Sequence, residues 1–174
     1  QLYNKKIGII GYGRIGSNVG KYAASFGMDV NAYDPYKNIK NKNVKQHKKL
    51  NNMLKISDAI IISIHLNKKN YKFFDNKKFK YLKNDVILIN TSRGEIMDEK
   101  ALINNYKSKK IKFYAADVVC NEHKLPAQKS EIFSIASNKN VNITPHMAGL
   151  TYESEEIAAN IAIKNLQNFF LNEK

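Results

Sequence analysis

One cysteine, Cys120, stands in 174 residues. No internal disulfide can form, and a reducing cytoplasm is the expected compartment. No apolar run approaches the roughly 18 residues that a membrane helix needs. No signal-peptide pattern opens the chain. There is no internal repeat, no long linker and no composition shift that marks a second domain. No metal-ligand set is expected. Hydrophobic content of 43% and charged content of 25% fit a soluble globular domain large enough to bury a core.

Arginine is nearly as scarce. Of 29 basic residues only Arg14 and Arg93 are not lysine, against 15 acids, for a net charge of +14. Such a balance raises the question of nucleic acid. The lysines, however, are spread along the whole chain, and the densest stretch, 37–49, has no aromatic residue on which bases could stack. Only weak, non-specific attachment to nucleic acid is expected. The two arginines carry more information. A guanidinium is a planar fork that grips carboxylate or phosphate at two points, and an ammonium cannot copy it.

Strand-like and helix-like segments alternate throughout. This pattern predicts an α/β fold: a doubly wound parallel sheet of Rossmann type, about seven strands with helices on both faces. The strands are expected at 6–10, 29–33, 44–46, 59–64, 86–90, 113–117 and 141–144. The helices are expected at 14–26, 50–56, 76–82, 98–107, 131–136 and 151–172. In 14–26 the apolar positions at helical spacing are Ile15, Val19, Tyr22, Ala23 and Phe26. Thr151 is the expected N-cap of the last helix, with acids in its first turn.

The first strand runs directly into Gly11-Tyr12-Gly13-Arg14-Ile15-Gly16, and Asp34 follows eighteen residues after Gly16, at the end of the second strand. A G-x-G-x-x-G alone is weak evidence. Between a strand and a helix, with an acid at that distance, it is a dinucleotide fingerprint. Gly11 permits the tight turn, Gly13 lets the backbone approach a pyrophosphate, and Gly16 lets the helix lie close to the strand. Asp34 would accept from the ribose hydroxyls and repel a 2′-phosphate. NAD is therefore the expected cofactor, favoured over NADP.

Three further residues follow strand ends: Arg93 in Asn90-Thr91-Ser92-Arg93-Gly94, Glu122 five residues after Asp117, and His146 in Thr144-Pro145-His146-Met147-Ala148-Gly149. Ligands of open α/β sheets bind at that edge. Arg93 could hold the carboxylate of a 2-oxo acid and polarise its carbonyl. His146 could give or take a proton near neutrality. Glu122 could stabilise the charged imidazole. The nicotinamide would supply hydride. His65, at a strand end, is read as structural or cofactor-adjacent. His47 and His123 are read as surface residues, and Cys120 as a neutral loop thiol.

On these segments, together with Tyr33-Asp34-Pro35-Tyr36 and Ala116-Asp117-Val118, the chain resembles the NAD-binding domain of the D-isomer-specific 2-hydroxyacid dehydrogenases over essentially its whole length. The resemblance implies an oxidoreductase that interconverts a D-2-hydroxy acid and its 2-oxo acid. It implies that Arg93, Glu122 and His146 are catalytic, and that Arg14 and Ile15 meet the pyrophosphate. It places Thr91 and Ser92 on the nicotinamide side, Asp117 on the carboxamide, and Met147, Ala148 and Gly149 beside the cofactor. It also implies a homodimer formed largely through this domain. A corepressor-like, non-catalytic NAD-sensing module is the alternative on the same fold. Two positions depart from the family pattern. Asn67 stands where a proline is common, and Cys120-Asn121 lacks acids often found before the glutamate.

The chain opens on Gln1, a few residues ahead of the first strand, and a fragment or excised domain is the expectation. Residues 1–174 are then the dinucleotide-binding domain alone. The substrate domain would be absent, and the isolated piece would bind NAD but be nearly inactive. Phe169, Phe170 and Leu171 would be covered by the missing domain or by a partner subunit.

Overall fold

The computed structural model describes residues 1–124 and 130–172. The chain divides into two compact units, Gln1–Thr144 and Pro145–Lys174.

The first unit is built on a seven-stranded sheet. Its strands are β1 (Lys6–Ile10), β2 (Asp29–Tyr33), β3 (Val44–Gln46), β4 (Ala59–Ile62), β5 (Val86–Asn90), β6 (Ile111–Ala116) and β7 (Val141–Ile143). Every pairing is parallel, in the order β3-β2-β1-β4-β5-β6-β7. The chain winds outward from β1 in both directions, so the strand order reverses between β1 and β4. A sheet covered on both faces has no solvent side, and its central strands are apolar without alternation. Ile60, Ile61 and Ile62 are all buried.

On one face, α2 (Leu50–Leu54), α3 (Asn76–Phe79) and α4 (Glu99–Lys107) enclose Met53, Phe74, Phe79, Leu88 and Leu102. Phe74 and Phe79 meet edge to face at 4.9 Å. On the other face, α1 (Arg14–Ser25) covers Ile7, Ile9, Val30 and Ala32. Of the five apolar positions expected in and after α1, Ala23 is buried and Val19 packs half-buried against the core, but the three largest face solvent. Ile15, Tyr22 and Phe26 are each more than 60% exposed, and the buried face is Gly16, Gly20 and Ala23. The helix lies so close to the sheet that only glycine and alanine are fully buried beneath it. A Cβ on Gly20 would stand 2.9 Å from Tyr12 Oη.

Most elements fall where the pattern predicts, and the differences lie at their ends. The helices at 50 and 76 stop at Leu54 and Phe79 because the next residues close i→i−3 bonds, Ile56 to Met53 and Leu82 to Phe79. The segment Glu131–Ile135 is a 3-10 turn rather than an α-helix, and a second such turn, Gly94–Ile96, had no signal in the sequence. β6 begins two residues early, where its register against β5 is irregular, and it ends before Asp117. β4 and β7 end two residues and one residue early, at Ile62 and Ile143.

The second unit holds α5 (Tyr152–Asn172). Thr151 caps it as expected: the Ser154 amide donates to Thr151 Oγ1 and the Thr151 amide to Ser154 Oγ, both at 3.1 Å. Ile157, Ile161, Leu166, Phe169 and Phe170 are all more than half exposed. Among the described residues no helix is long and apolar enough to cross a membrane.

His47 is only partly a surface residue. It is half-buried, and its Nε2 stands 2.8 Å from Oδ1 of Asn31, which is buried within β2. Asn31 Nδ2 donates to the Asp29 carbonyl, so Oδ1 accepts and His47 carries its proton on Nε2. Burial, and after it the charge of Lys45, hold the His47 pKa below the ordinary 6.5. A base depressed in the fold stabilises the protein above its unfolded pKa, and the contribution is lost as the pH falls from that value through the lower folded one. The urea midpoint should therefore drop between about pH 7.5 and about pH 5.5, and His47→Gln should flatten the drop. An equally steep drop in the variant would remove His47 from this role.

Candidate functional site

The carboxyl edge of the sheet is organised from β1 outward. Gly11 has φ +87°, and a Cβ there would stand 2.6 Å from both the Ser63 carbonyl oxygen and Ile64 Cγ2. The turn after β1 is thus pressed against the end of β4, at the point where the strand order reverses. A Cβ on Gly16 would strike the Gly11 carbonyl. Gly13 is different: it is the exposed N-cap of α1, and a Cβ there would meet nothing within 4 Å. No side chain caps α1, and its first turn holds no acid. The positive end of the helix opens onto vacant space beside a residue without a side chain, which suits a pyrophosphate.

Asp34 braces this turn. Its Oδ2 accepts from the Tyr12 amide at 2.9 Å and its Oδ1 from the Tyr36 amide at 2.9 Å. The Lys37 ammonium donates to the Tyr12 carbonyl at 3.0 Å. Beside Asp34 a cleft of about 570 Å³ runs along the ends of β2 and β3, lined by Tyr33, Asp34, Tyr36, Gln46 and His47 among others. Two buried hydroxyls, Tyr12 Oη and Ser63 Oγ, have no hydrogen-bond partner among the described residues. Ser63 lies at the strand-order reversal, where a bound group could supply one. The donors, the open glycine and the braced carboxylate fit a dinucleotide.

Past β5 and β6 two loops form one block. Asn90 is fully buried at the end of β5. Its Oδ1 accepts from the Ser92 amide at 3.1 Å and the Ser92 hydroxyl at 2.8 Å, and its Nδ2 donates to the Arg93 carbonyl at 2.9 Å. One side chain thereby fixes Thr91-Ser92-Arg93. Arg93 itself is exposed, with Nη1 donating to the Ser92 carbonyl at 2.6 Å. A Cβ on Gly94 would collide with the backbone of Val119 and Cys120. Only glycine lets the two loops touch. Across that contact Glu95 Oε1 accepts from the Asn121 amide at 3.0 Å. Glu122 is half-buried, and its Oε2 accepts from the Val119 amide at 3.2 Å. Asp117 is buried and takes a bond from Thr144 Oγ1, which joins the ends of β6 and β7. Burial, and next the Glu99 carboxylate, push the Cys120 thiol far above its usual range, so it stays a neutral thiol.

The first unit thus brings Gly11, Gly13, Arg14, Ile15, Gly16, Asp34, Thr91, Ser92, Arg93, Asp117 and Glu122 to one edge of one sheet. His146, Met147, Ala148 and Gly149 belong to the second unit and are exposed. His146 has φ +52°, a left-handed conformation uncommon outside glycine and found disproportionately at functional sites. The Leu150 amide donates to the Met147 carbonyl at 3.0 Å, and the Ser154 hydroxyl donates to the Gly149 carbonyl.

Three organising residues escaped the sequence reading: Asn90, Glu95 and Glu99. A buried polar residue must find partners, so the Asn at the end of an apolar strand was a signal. The two acids had none beyond proximity to a helix start. At Asn67, where the family commonly has proline, the amide donates to Asn70 Oδ1 at 2.7 Å, a bond proline cannot make. His65 is exposed, and its carbonyl accepts from Asn70 Nδ2.

The family described as D-isomer specific 2-hydroxyacid dehydrogenase, NAD binding domain, matches residues 1–148. A glyoxylate reductase of Pyrococcus furiosus is 34% identical over 171 residues, which are 97% of this chain and 49% of that protein. A hydroxypyruvate reductase of Blautia hydrogenotrophica is 35% identical, with 97% of this chain and 51% of that protein covered. The crystal structure of a D-lactate dehydrogenase from Aquifex aeolicus, complexed with NAD and lactic acid, superposes with a TM-score of 0.88 at 30% identity. It covers 99% of this chain and 55% of that one. The chain spans about half the length of the curated reductases it matches.

Gly94→Ala should destabilise the protein by about 1–3 kcal/mol, because two backbones must part to admit one methyl group. Amide exchange should quicken at Val119 to Glu122 and stay unchanged in β1 and β2. Unaltered exchange at Val119 to Glu122 would show that the loops do not depend on this contact.

Proposed function

The chain belongs to the NAD-binding domains of the D-isomer-specific 2-hydroxyacid dehydrogenases, and from that premise we propose that the protein reversibly reduces a 2-oxo acid to a D-2-hydroxy acid, with Arg93, Glu122 and His146 as its catalytic residues. The observation that carries this reading is the block past β5 and β6. A guanidinium and a carboxylate stand on loops that touch through Gly94, at the same sheet edge as the glycine turn.

Gly13, Arg14, Ile15 and the first amides of α1 would hold the pyrophosphate, and Asp34 the adenine ribose. Thr91 and Ser92 would line the nicotinamide side, with Asp117 on the carboxamide and Met147, Ala148 and Gly149 alongside. Bound NAD(H) supplies the two-electron chemistry that no side chain offers. Arg93 orients the 2-oxo acid by two-point contact with its carboxylate and polarises the adjacent carbonyl. His146 gives a proton to that carbonyl oxygen and takes it back in the reverse direction. Glu122 stabilises the imidazolium. The names of the relatives make glyoxylate, hydroxypyruvate and pyruvate the first substrates to try. Residues 1–174 would act as one dinucleotide-binding domain, in the cytoplasm. A homodimer through this domain is supported by the exposed stripe of Ile15, Tyr22 and Phe26 on α1.

Calorimetric titration should show NADH binding at least about tenfold tighter than NADPH, the expected cost of bringing a 2′-phosphate to an ionised carboxylate. Equal affinities would remove Asp34 from its role. The cofactor swap is a cleaner test than Asp34→Ala, since that substitution also strips the brace from the Tyr12 amide.

In the full-length protein, His146→Ala should lower kcat by about 10²- to 10⁴-fold while NADH binding persists. Undiminished turnover would end the acid–base assignment.

A further inference from the structure

We infer that Glu99 is a positioning residue for the active site, whose carboxylate ties the backbone at Cys120, two residues before Glu122, to Ser130 and Glu131. The inference rests on Glu122 being the partner of His146.

Glu99 is the first residue of α4, where an acid ordinarily serves the helix dipole from the surface. The capping bond is already made by Asp98, whose Oδ1 accepts from the Ala101 amide. Glu99 instead reaches away from its helix and is half-buried. Its Oε1 accepts from the Cys120 amide at 3.2 Å and from the Ser130 hydroxyl at 2.5 Å, and its Oε2 accepts from the Glu131 amide at 2.9 Å. These donors lie 21, 31 and 32 residues along the chain. One of them sits just before Glu122, and the other two stand at the start of the 3-10 turn Glu131–Ile135. Glu122 is in turn held through the Val119 amide, the residue next to Cys120. Release of the Cys120 amide therefore frees the anchor of the Glu122 carboxylate. Bonds to a carboxylate acceptor are the strong ones, and without Glu99 the three converging donors lose the one acceptor they share. The cofactor edge at β1 and β2 has no bond to Glu99, so the effect should fall on the chemical step and spare NADH affinity.

The test uses the full-length protein with whichever of glyoxylate, hydroxypyruvate or pyruvate it reduces fastest. It measures kcat and NADH affinity for Glu99→Ala, Glu122→Ala and the double variant. Displacement of a reacting group by about 1 Å can cost 10²-fold. Glu99→Ala should lower kcat by about 10- to 100-fold with NADH affinity unchanged, and the double variant should be no slower than Glu122→Ala alone. Full activity of Glu99→Ala, or losses that multiply in the double variant, would overturn the inference while leaving Glu122 in its role. Full activity of Glu122→Ala would overturn that role and the inference with it. If Glu99→Ala fails to fold, Ser130→Ala takes its place in the cycle. It keeps the carboxylate, removes one tie, and is judged by the same outcomes.

Discussion

The structure turns on how closely α1 approaches β1. Gly16 abuts the Gly11 carbonyl, and Gly20 lies under the Tyr12 ring, at distances that leave no room for even a methyl group. That contact fixes where the helix begins, and the beginning of the helix is the feature a phosphate would meet. Asp34 reaches back from β2 to the Tyr12 amide, so the end of the neighbouring strand is locked to the same turn. Gly11 presses the turn against the end of β4. Three strand ends are thereby held around one short segment whose own side chains are mostly hydrogen atoms. A dinucleotide site of this kind is chiefly shaped backbone, and it tolerates few substitutions for steric reasons before any ligand arrives.

The second half of the edge is built by other means. Among the described residues no glycine-rich helix start follows β5 or β6. Buried polar side chains take over the positioning: Asn90 for the arginine loop, and Glu95 and Glu99 for the glutamate loop. Gly94 is the steric element of this block, and it acts between loops rather than between helix and strand. The division follows the needs of each half. A pyrophosphate needs exposed amides, which a bare turn offers. A carboxylate and a guanidinium in the roles proposed for Glu122 and Arg93 would need defined side-chain positions, and those require a supporting layer of hydrogen bonds.

The legibility of the sequence divides along the same line. The strands were readable because a sheet covered on both faces needs unbroken apolar runs, and Ile60-Ile61-Ile62 can satisfy little else. The glycine turn was readable because its constraint is local: three glycines at fixed spacing carry it. The orientation of α1 was misread for an instructive reason. Helical spacing picked out Ile15, Val19, Tyr22, Ala23 and Phe26; Ala23 is buried and Val19 packs against the core, but the three largest are exposed, and the sheet buries Gly16 and Gly20 in their place. Both sets repeat at helical intervals, and only the packing distance decides between them. Glu99 was illegible because its partners lie more than twenty residues away. In the sequence it stands in the first turn of a helix, where a solvated acid is the ordinary case.

The two arginines can be judged against the same background. In a chain that uses lysine for nearly every cation, a general preference for charge does not explain them. Arg14 is the first residue of α1, beside the open Gly13. Arg93 has its carbonyl held by buried Asn90 and one guanidinium nitrogen tied to Ser92. A lysine could supply the same charge at either position. It could not keep one donor on a backbone carbonyl and still present a rigid plane of further donors. The ammonium that serves elsewhere in the chain fails where geometry as well as charge is required. The two places where arginine is retained are the helix start suited to a phosphate and the loop suited to a carboxylate.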